Sequence, residues 1–199
     1  MIYIYGASGQ GKVIAEILTA AKVDFDAFID DKPLLGFFNK TVASPSIITQ
    51  DDNLLIAIGD NKTRKLISEK WKGNKFLIAQ HPSAIISPSA TVHEGTVMMA
   101  NVTINASSYI GKHVIVNTNA SIDHDCEISD YVHICPNVAL AGNVSVGEGT
   151  QVGIGSCVIQ GVKIGKWAVI GAGTVIIEDV PDGAVVVGNP GRIVKYINQ

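Results

Sequence analysis

"NTNASIDHDCEISDYVHICPNVAL", Asn117–Leu140, places an aliphatic residue at every sixth position: Ile122, Ile128, Ile134 and Leu140. The same beat runs without insertion back to Ile86 and forward to Ile176. Two residues ahead of each aliphatic stands a small or β-branched residue, as at Ala120, Cys126, Val132 and Val138. The residue after each aliphatic is often Gly, Asn, Asp, Ser or Ala. A β-sandwich would alternate with period two between irregular turns. Period six, with one large and one small inward residue, is the hexapeptide signature of a parallel β-helix. Each hexapeptide forms one flat side of a triangular coil, so roughly five coils stack about 4.8 Å apart.

The first half follows a different rule. "MIYIYGASGQGKVIAEILTAAK" reads as strand, glycine turn and helix, with Val13, Ile14, Ile17, Leu18 and Ala21 at helical spacing. "DAFIDDKP" is a second strand ending in two acids and a base, and "NLLIAIGDN" a third, followed by the helix "KTRKLISEKWKG". Strands alternating with helices imply a parallel sheet with ligands at the carboxyl ends of its strands. Those ends carry Gly6–Gly11, Asp30–Lys32 and Gly59–Asn61, three loops expected to converge on one crevice. The expected organisation is a Rossmann-like α/β unit over residues 1–80 and a β-helix with a C-terminal tail over 81–199.

"GASGQGKV" looks like a phosphate loop, but a triphosphatase needs Ser or Thr after the lysine, and Val13 stands there. As a dinucleotide turn its spacing is G-x-x-G-x-G, and the unit is long enough for only one mononucleotide half. One nucleoside diphosphate, with or without a sugar, fits best. A net charge of -3 and the lack of a basic stripe argue against nucleic acid. No apolar run approaches the roughly 20 residues that span a bilayer. The start has no basic n-region, so no signal peptide is read. Cys126, Cys135 and Cys157 form no CxxC pair and read as reduced, packed residues of a cytoplasmic protein.

The coils and the ending "VVVGNPGRIVKYI" resemble the hexapeptide acyltransferases, which bind coenzyme A along their coils. With "IYGASGQGKV", "FIDDKP", "IAIGDNKTRK", "HPSA" and "NTNASIDHDCEI", nearly the whole chain resembles the bacterial sugar-nucleotide acetyltransferases of the bacillosamine-pathway type. The resemblance implies left-handed coils and a homotrimer with active sites between subunits. It also implies acetyl transfer from acetyl-CoA to the 4-amino group of a UDP-linked 4-amino-4,6-dideoxy sugar. Sialic acid O-acetyltransferases share the architecture, which leaves a hydroxyl acceptor as the alternative; a non-catalytic sugar-nucleotide scaffold is a third reading.

Acetyl transfer to an amine needs a base near neutrality, which points to histidine, and donors for an oxyanion. His124, two residues after the inward Ile122, is followed by Asp125. The resemblance makes this pair the base and the acid that orients it, although the best-known member of the family has Glu in place of Asp125. By the same resemblance His133, Gly142, Ile154, Ala172, Gly188 and Arg192 contact acetyl-CoA, with the Gly142 amide as an oxyanion donor. Ala7, Ser8, Gly9 and Gln10 meet the diphosphate; Asp30, Asp31 and Lys32 the nucleoside or phosphates; Gly59, Asp60 and Asn61 the base; Asn117 the sugar. Two departures stand out: Gln10 where the bacillosamine enzyme has His, and Gly191 where Ala is usual. His81 is expected at the joint between the halves, and His93 and His113 at exposed corners. A zinc site between coils, as in γ-class carbonic anhydrases, is not expected, because the histidines are not paired as His-x4-His.

Overall fold

The computed structural model describes residues 1–32 and 36–197. Its first strand, β1 (Ile2–Tyr5), is buried along most of its length. It feeds the helix α1 (Gly9–Ala20), whose Gly11 abuts the Gly6 carbonyl so closely that a methyl there would collide. Then come β2 (Ala27–Ile29), β3 (Val42–Ala43), β4 (Asn53–Ile56), the helix α2 (Asn61–Lys70) and β5 (Lys75–Phe76). They form a parallel sheet in the order β3-β2-β1-β4-β5. Chain direction diverges between β1 and β4, which opens the crevice above their carboxyl ends. The edge strands β3 and β5 are two residues each, too short to leave a hydrophobic pattern in the sequence.

From Ala79 the chain winds into a left-handed parallel β-helix of two-residue strands. Partners lie eighteen residues apart, as Thr103 pairs with Ser121 and Ser121 with Ala139. Three sheets of six, five and eight strands form the sides. The third gains its last strands from an antiparallel hairpin, Ala184–Val187 with Arg192–Tyr196. Ile104, Ile110, Val116, Ile122, Ile128 and Ile134 fill the interior as the period requires. Polar residues of the small register are buried too: Thr96, Ser108, Thr150 and Ser156 each donate to a carbonyl of the next coil at 2.6–2.8 Å, while the Thr174 hydroxyl finds no partner among the described residues. Cys126 fills the same register and Cys135 is also buried, but Cys157 faces outward; all three thiols are free.

The two halves share one hydrophobic cluster. Ile4, Ile14 and Leu55 of the α/β unit pack with Ala79, Val97 and Ile115 on one coil face. At the neighbouring corner the contact turns polar. Arg64 of α2 is only 1% exposed, and all five of its N–H groups find acceptors. They are the carbonyls of His113, Ile58, Gly59 and Tyr131 and the side-chain oxygen of Asn61, at 2.7–3.1 Å. Burial lowers the guanidinium pKa to about 10, so it stays charged at neutral pH.

Beside Arg64 the rings of His113 and Tyr131 stack at 5.5 Å, with Phe76 edge-on to His113 at 4.6 Å. His113, expected at an exposed corner, is therefore buried between the two halves. Its Nδ1 is packed against Gly95 and has no hydrogen-bond partner among the described residues. His81 sits at the joint as expected, bonded to Ser83, and His93 leans on Tyr109.

Replacing Arg64 by Met keeps the apolar stem and orphans buried carbonyls, each costing about 1–3 kcal/mol. Urea unfolding should register a loss of at least about 3 kcal/mol; under about 1 kcal/mol would mean that the joint does not depend on this cation. Burial first, then Arg64, push the His113 pKa down from 6.5 to about 4. Between those values the unfolded chain takes up a proton that the folded chain refuses. Stability should thus be full above pH 6.5 and fall as pH drops toward 4, by up to about 1.4 kcal/mol per pH unit. His113→Phe should remove the His113 share of that slope and leave the share of His133, whose pKa burial also lowers to about 4, measured by urea melts at neutral and acid pH.

Candidate active site

In the α/β unit, two helices begin at the crevice and only one is capped. Asp60 closes α2, accepting from the Thr63 amide at 2.8 Å and the Thr63 hydroxyl at 2.6 Å. Those bonds hold its carboxyl below the usual range. The start of α1 has no side-chain cap on Ser8 and no acid in its first turn. Unsatisfied amides at a helix start, with the dipole behind them, favour an anion. The amides of Ser8, Gly9 and Gln10 thus point to a phosphate site.

The structure alters several neighbours. Ala7 donates its amide to Asp30 at 3.0 Å, and Lys32 donates to the other carboxylate oxygen at 2.9 Å. Asp30 therefore pins the glycine turn to the end of β2; the Ala7 amide is taken, while each Asp30 oxygen keeps a second lone pair. Asp60 is engaged as a cap. Asn61, expected to meet the base, is buried and donates to the carbonyls of Gly149 and Thr150. Its side chain ties α2 to the coils because the helix start is pressed against that corner. Asp31, near the Tyr5 hydroxyl at 3.4 Å, and Lys32 stay exposed at the crevice rim.

His124 and Asp125 occupy another part of the molecule, the corner between strands Ser121–Ile122 and Glu127–Ile128. The imidazole Nδ1 lies 2.7 Å from an Asp125 carboxylate oxygen, and both side chains are well exposed. Asp125 takes a left-handed φ of 58°, which folds its carboxylate back toward the ring. Asp123, which sequence reasoning passed over, accepts from the His124 amide at 2.8 Å and from the Asn105 side chain at 2.9 Å. The Asp125 hydrogen bond first, then the Asp123 charge, raise the His124 pKa above 6.5.

Gly142 lies one coil beyond His124, and its missing side chain has a steric reason. A methyl there would stand 2.6 Å from Cε1 and 2.7 Å from Nε2 of the His124 ring. With Nδ1–H held by Asp125, Nε2 is the free lone pair, and Gly142 keeps it open. An open groove of about 490 Å³ lined by Ser107, Tyr109, Asp125, Cys126 and Glu127 runs alongside.

The other residues expected at the acyl donor lie elsewhere. Ile154, 51% exposed, follows strand Gln151–Val152, and Ala172 follows Val169–Ile170, so both stand on a different corner from His124. Gly188 and Arg192 belong to the terminal hairpin. His133 lies on the face that carries the α/β unit, with Nε2 3.2 Å from the Asn117 side-chain nitrogen. Among the described residues no group of three His, Cys, Asp or Glu could hold a metal ion.

A prism of hexapeptide coils with an exposed imidazole–carboxylate pair at a corner, joined to a small α/β unit with an uncapped helix start, has the parts of a nucleotide-linked acyltransferase. The profile of the PglD N-terminal domain matches residues 1–71. The UDP-N-acetylbacillosamine N-acetyltransferase of Bacillus subtilis (strain 168) is 41% identical over 110 residues, 50% of this chain. The match spans about half (51%) of that protein's length. PerB from Caulobacter crescentus, solved in complex with CoA and GDP-perosamine, is 40% identical with a TM-score of 0.92, covering 98% of this chain and 97% of its own. The acetyltransferase domain of PglB from Neisseria gonorrhoeae, solved with acetyl coenzyme A, is 34% identical with a TM-score of 0.92, covering 97% of this chain and 98% of its own. This chain belongs to the sugar-nucleotide N-acetyltransferases of the left-handed β-helix family.

NMR titration of His124 should give a pKa above 6.5 that falls on Asp125→Asn, because the carboxylate stabilises the imidazolium. Gly142→Ala should also lower it, by pushing the ring off Asp125. An unmoved titration in both variants would dissociate this pair.

Proposed function

We propose that the chain transfers acetyl from acetyl-CoA to the 4-amino group of a UDP-linked 4-amino-4,6-dideoxy sugar, acting as a cytoplasmic homotrimer. The shared site is supported by the placement, on different corners, of the residues that the resemblance assigns to it. His124 and Gly142 share one corner of the prism, and Ile154 and Ala172 another. Two corners of one convex prism do not wall one groove. Two copies packed side by side, turning unlike corners toward each other, do, and a ring of three closes that head-to-tail contact. The outward row Thr103, Ser121, Ala139 and Cys157 is small and uncharged, as a close contact between coils requires.

The chemistry follows from the geometry. The diphosphate rests on the Ser8–Gln10 amides, and the sugar reaches past Asn117 to the neighbouring copy's corner. The amine nitrogen attacks the thioester carbonyl carbon while His124 Nε2 takes its proton. Asp125 holds Nδ1–H and stabilises the imidazolium; the Gly142 amide, without a hydrogen-bond partner among the described residues, donates to the oxyanion. As the C–S bond breaks, the proton passes from the imidazolium to the departing sulfur. Free cysteines and the use of acetyl-CoA support a cytoplasmic setting. No helix among the described residues is long and apolar enough to cross a membrane.

Thiol release from acetyl-CoA tests the reading with three acceptors: a UDP-4-amino sugar, its GDP counterpart and a sialic acid. We expect turnover with the UDP-amino sugar, an acid limb above pH 6.5, and a loss of about 10²–10⁴ in kcat for His124→Ala. Sugar-nucleotide binding should survive that change. A Caulobacter crescentus perosamine N-acetyltransferase with one histidine replaced by Asn or Ala was likewise solved with CoA and GDP-perosamine. A light-scattering mass of one chain, or preference for sialic acid, would overturn the proposal.

A further inference from the structure

Asp123 stands one residue before the corner imidazole and has no part in the proton transfers above. Both of its hydrogen bonds fall on one oxygen: Oδ1 accepts from the His124 amide at 2.8 Å and from Asn105 Nδ2 at 2.9 Å. Those bonds, the His124 amide first, hold its pKa below the usual carboxylate range, so the group stays charged. Among the described residues Oδ2 has no partner, and no lysine or arginine pairs with the carboxylate. With Oδ1 pinned from two sides the carboxylate cannot rotate freely, and Oδ2 is held ready as an acceptor. The stack around it is informative too. Asn105, Asp123, Ala141, Ile159 and Ile177 form one row, each following the inward residue of a strand. Asp123 is the last polar member, since Ile159 and Ile177 are apolar and 40% and 41% exposed. One coil along, Ala141 faces Asp123 and Gly142 faces His124; both are small, so the space beside the two acceptors is open.

An amine brings two N–H groups and one lone pair, whereas a hydroxyl brings a single O–H. In acetyl transfer one amine hydrogen leaves to His124 Nε2, and the other stays on nitrogen as the N–H of the product amide. The geometry points to Asp123 as the residue that selects an amine acceptor: Oδ2 accepts the hydrogen that stays while Nε2 accepts the one that leaves, which turns the nitrogen lone pair toward the thioester carbon. No bond to Asp123 forms or breaks, and it takes up no proton. A hydroxyl has hydrogen enough for Nε2 alone, so Oδ2 would face an oxygen lone pair, and the ester product has no hydrogen to offer it. A site built to bind an N–H rejects the analogue that lacks it, because its own acceptor is left unpaired. The inference rests on the acceptor reading above and names the group that favours nitrogen over oxygen.

Asp123→Asn separates charge from architecture: its side-chain oxygen can still accept from the His124 amide and Asn105, while an NH2 replaces Oδ2. Two nucleotide sugars are compared, the UDP- or GDP-linked 4-amino sugar that the wild type turns over faster, and its 4-hydroxyl counterpart as a competitive inhibitor. Readings are taken above the His124 titration, so that a shifted imidazole pKa does not enter KM. In the variant, KM for the amino sugar should rise about ten- to a hundredfold, the worth of a hydrogen bond to a charged group. The hydroxyl sugar should keep its Ki or bind more tightly, and KM for acetyl-CoA should stay within about twofold. An unmoved amino-sugar KM overturns the assignment. So does a hydroxyl-sugar Ki or an acetyl-CoA KM that worsens in step, the mark of a carboxylate that only shapes the corner. A wild type inert toward every nucleotide-linked amino sugar overturns the activity reading itself, and this inference with it.

Discussion

A chain that turns a corner every six residues must adopt a left-handed backbone at each turn, and this demand organises the molecule. The positions include Asn101, Ser107, His113, Asn119, Asp125, Tyr131 and Asn137, all with φ between 54° and 60°. Asn, Asp and Gly accept that conformation most readily. Asp125 is one of them, so the residue that follows the corner imidazole is also the one whose carboxylate the turn brings back onto it. Coil geometry and acid–base chemistry thus share a residue.

Bulky residues in that conformation are less expected. His113, Tyr131 and Trp167 are all spaced by multiples of eighteen, so they fall on a single corner, the one that receives α2. Gly149 and Gly95 stand in the same column and leave room for the Trp167 and His113 rings. Packing against α2, Phe76 and one another compensates the backbone strain. Arg64 then completes the joint with carbonyl oxygens in place of a carboxylate partner. Such a joint is specific in direction, because every N–H of a planar fork must meet its acceptor. It sets the crevice above the coil face that carries His133 and Asn117.

Two kinds of site therefore meet at a distance from each other within one chain. The α/β unit offers an uncapped helix start for an anion, and the remote corner offers an imidazole whose free nitrogen Gly142 keeps clear. A tethered acceptor suits this division, since its charged end and its reactive amine are far apart on the same molecule. Neither half contains what the other needs. The start of α2 shows the contrast within the same unit: there Asp60 supplies a carboxylate of the chain's own to the Thr63 amide.

Much of this was legible from residue order alone. Six-residue spacing from Ile86 to Ile176 declares the coils, because each inward position repeats at the same point of a rigid side. The β1–α1 glycine turn and the His124–Asp125 pair are local features, readable over a few residues. What the spacing of His113, Tyr131 and Trp167 held was also present, but only for a reader counting by eighteen, the coil length, where six marks just the side. Arg64 left no signal: a lysine-rich helix start does not reveal that one cation is buried. Asp30, Asp60 and Asn61 were rightly located at strand ends, yet hydrogen bonds within the chain engage their side chains, and the neighbours responsible lie up to 89 residues away. Local periodicity follows from the order of residues because each side of a coil is short and self-similar. Which polar groups remain free for a ligand was decided only when distant segments met, since a hydrogen bond consumes a donor without leaving a trace in sequence.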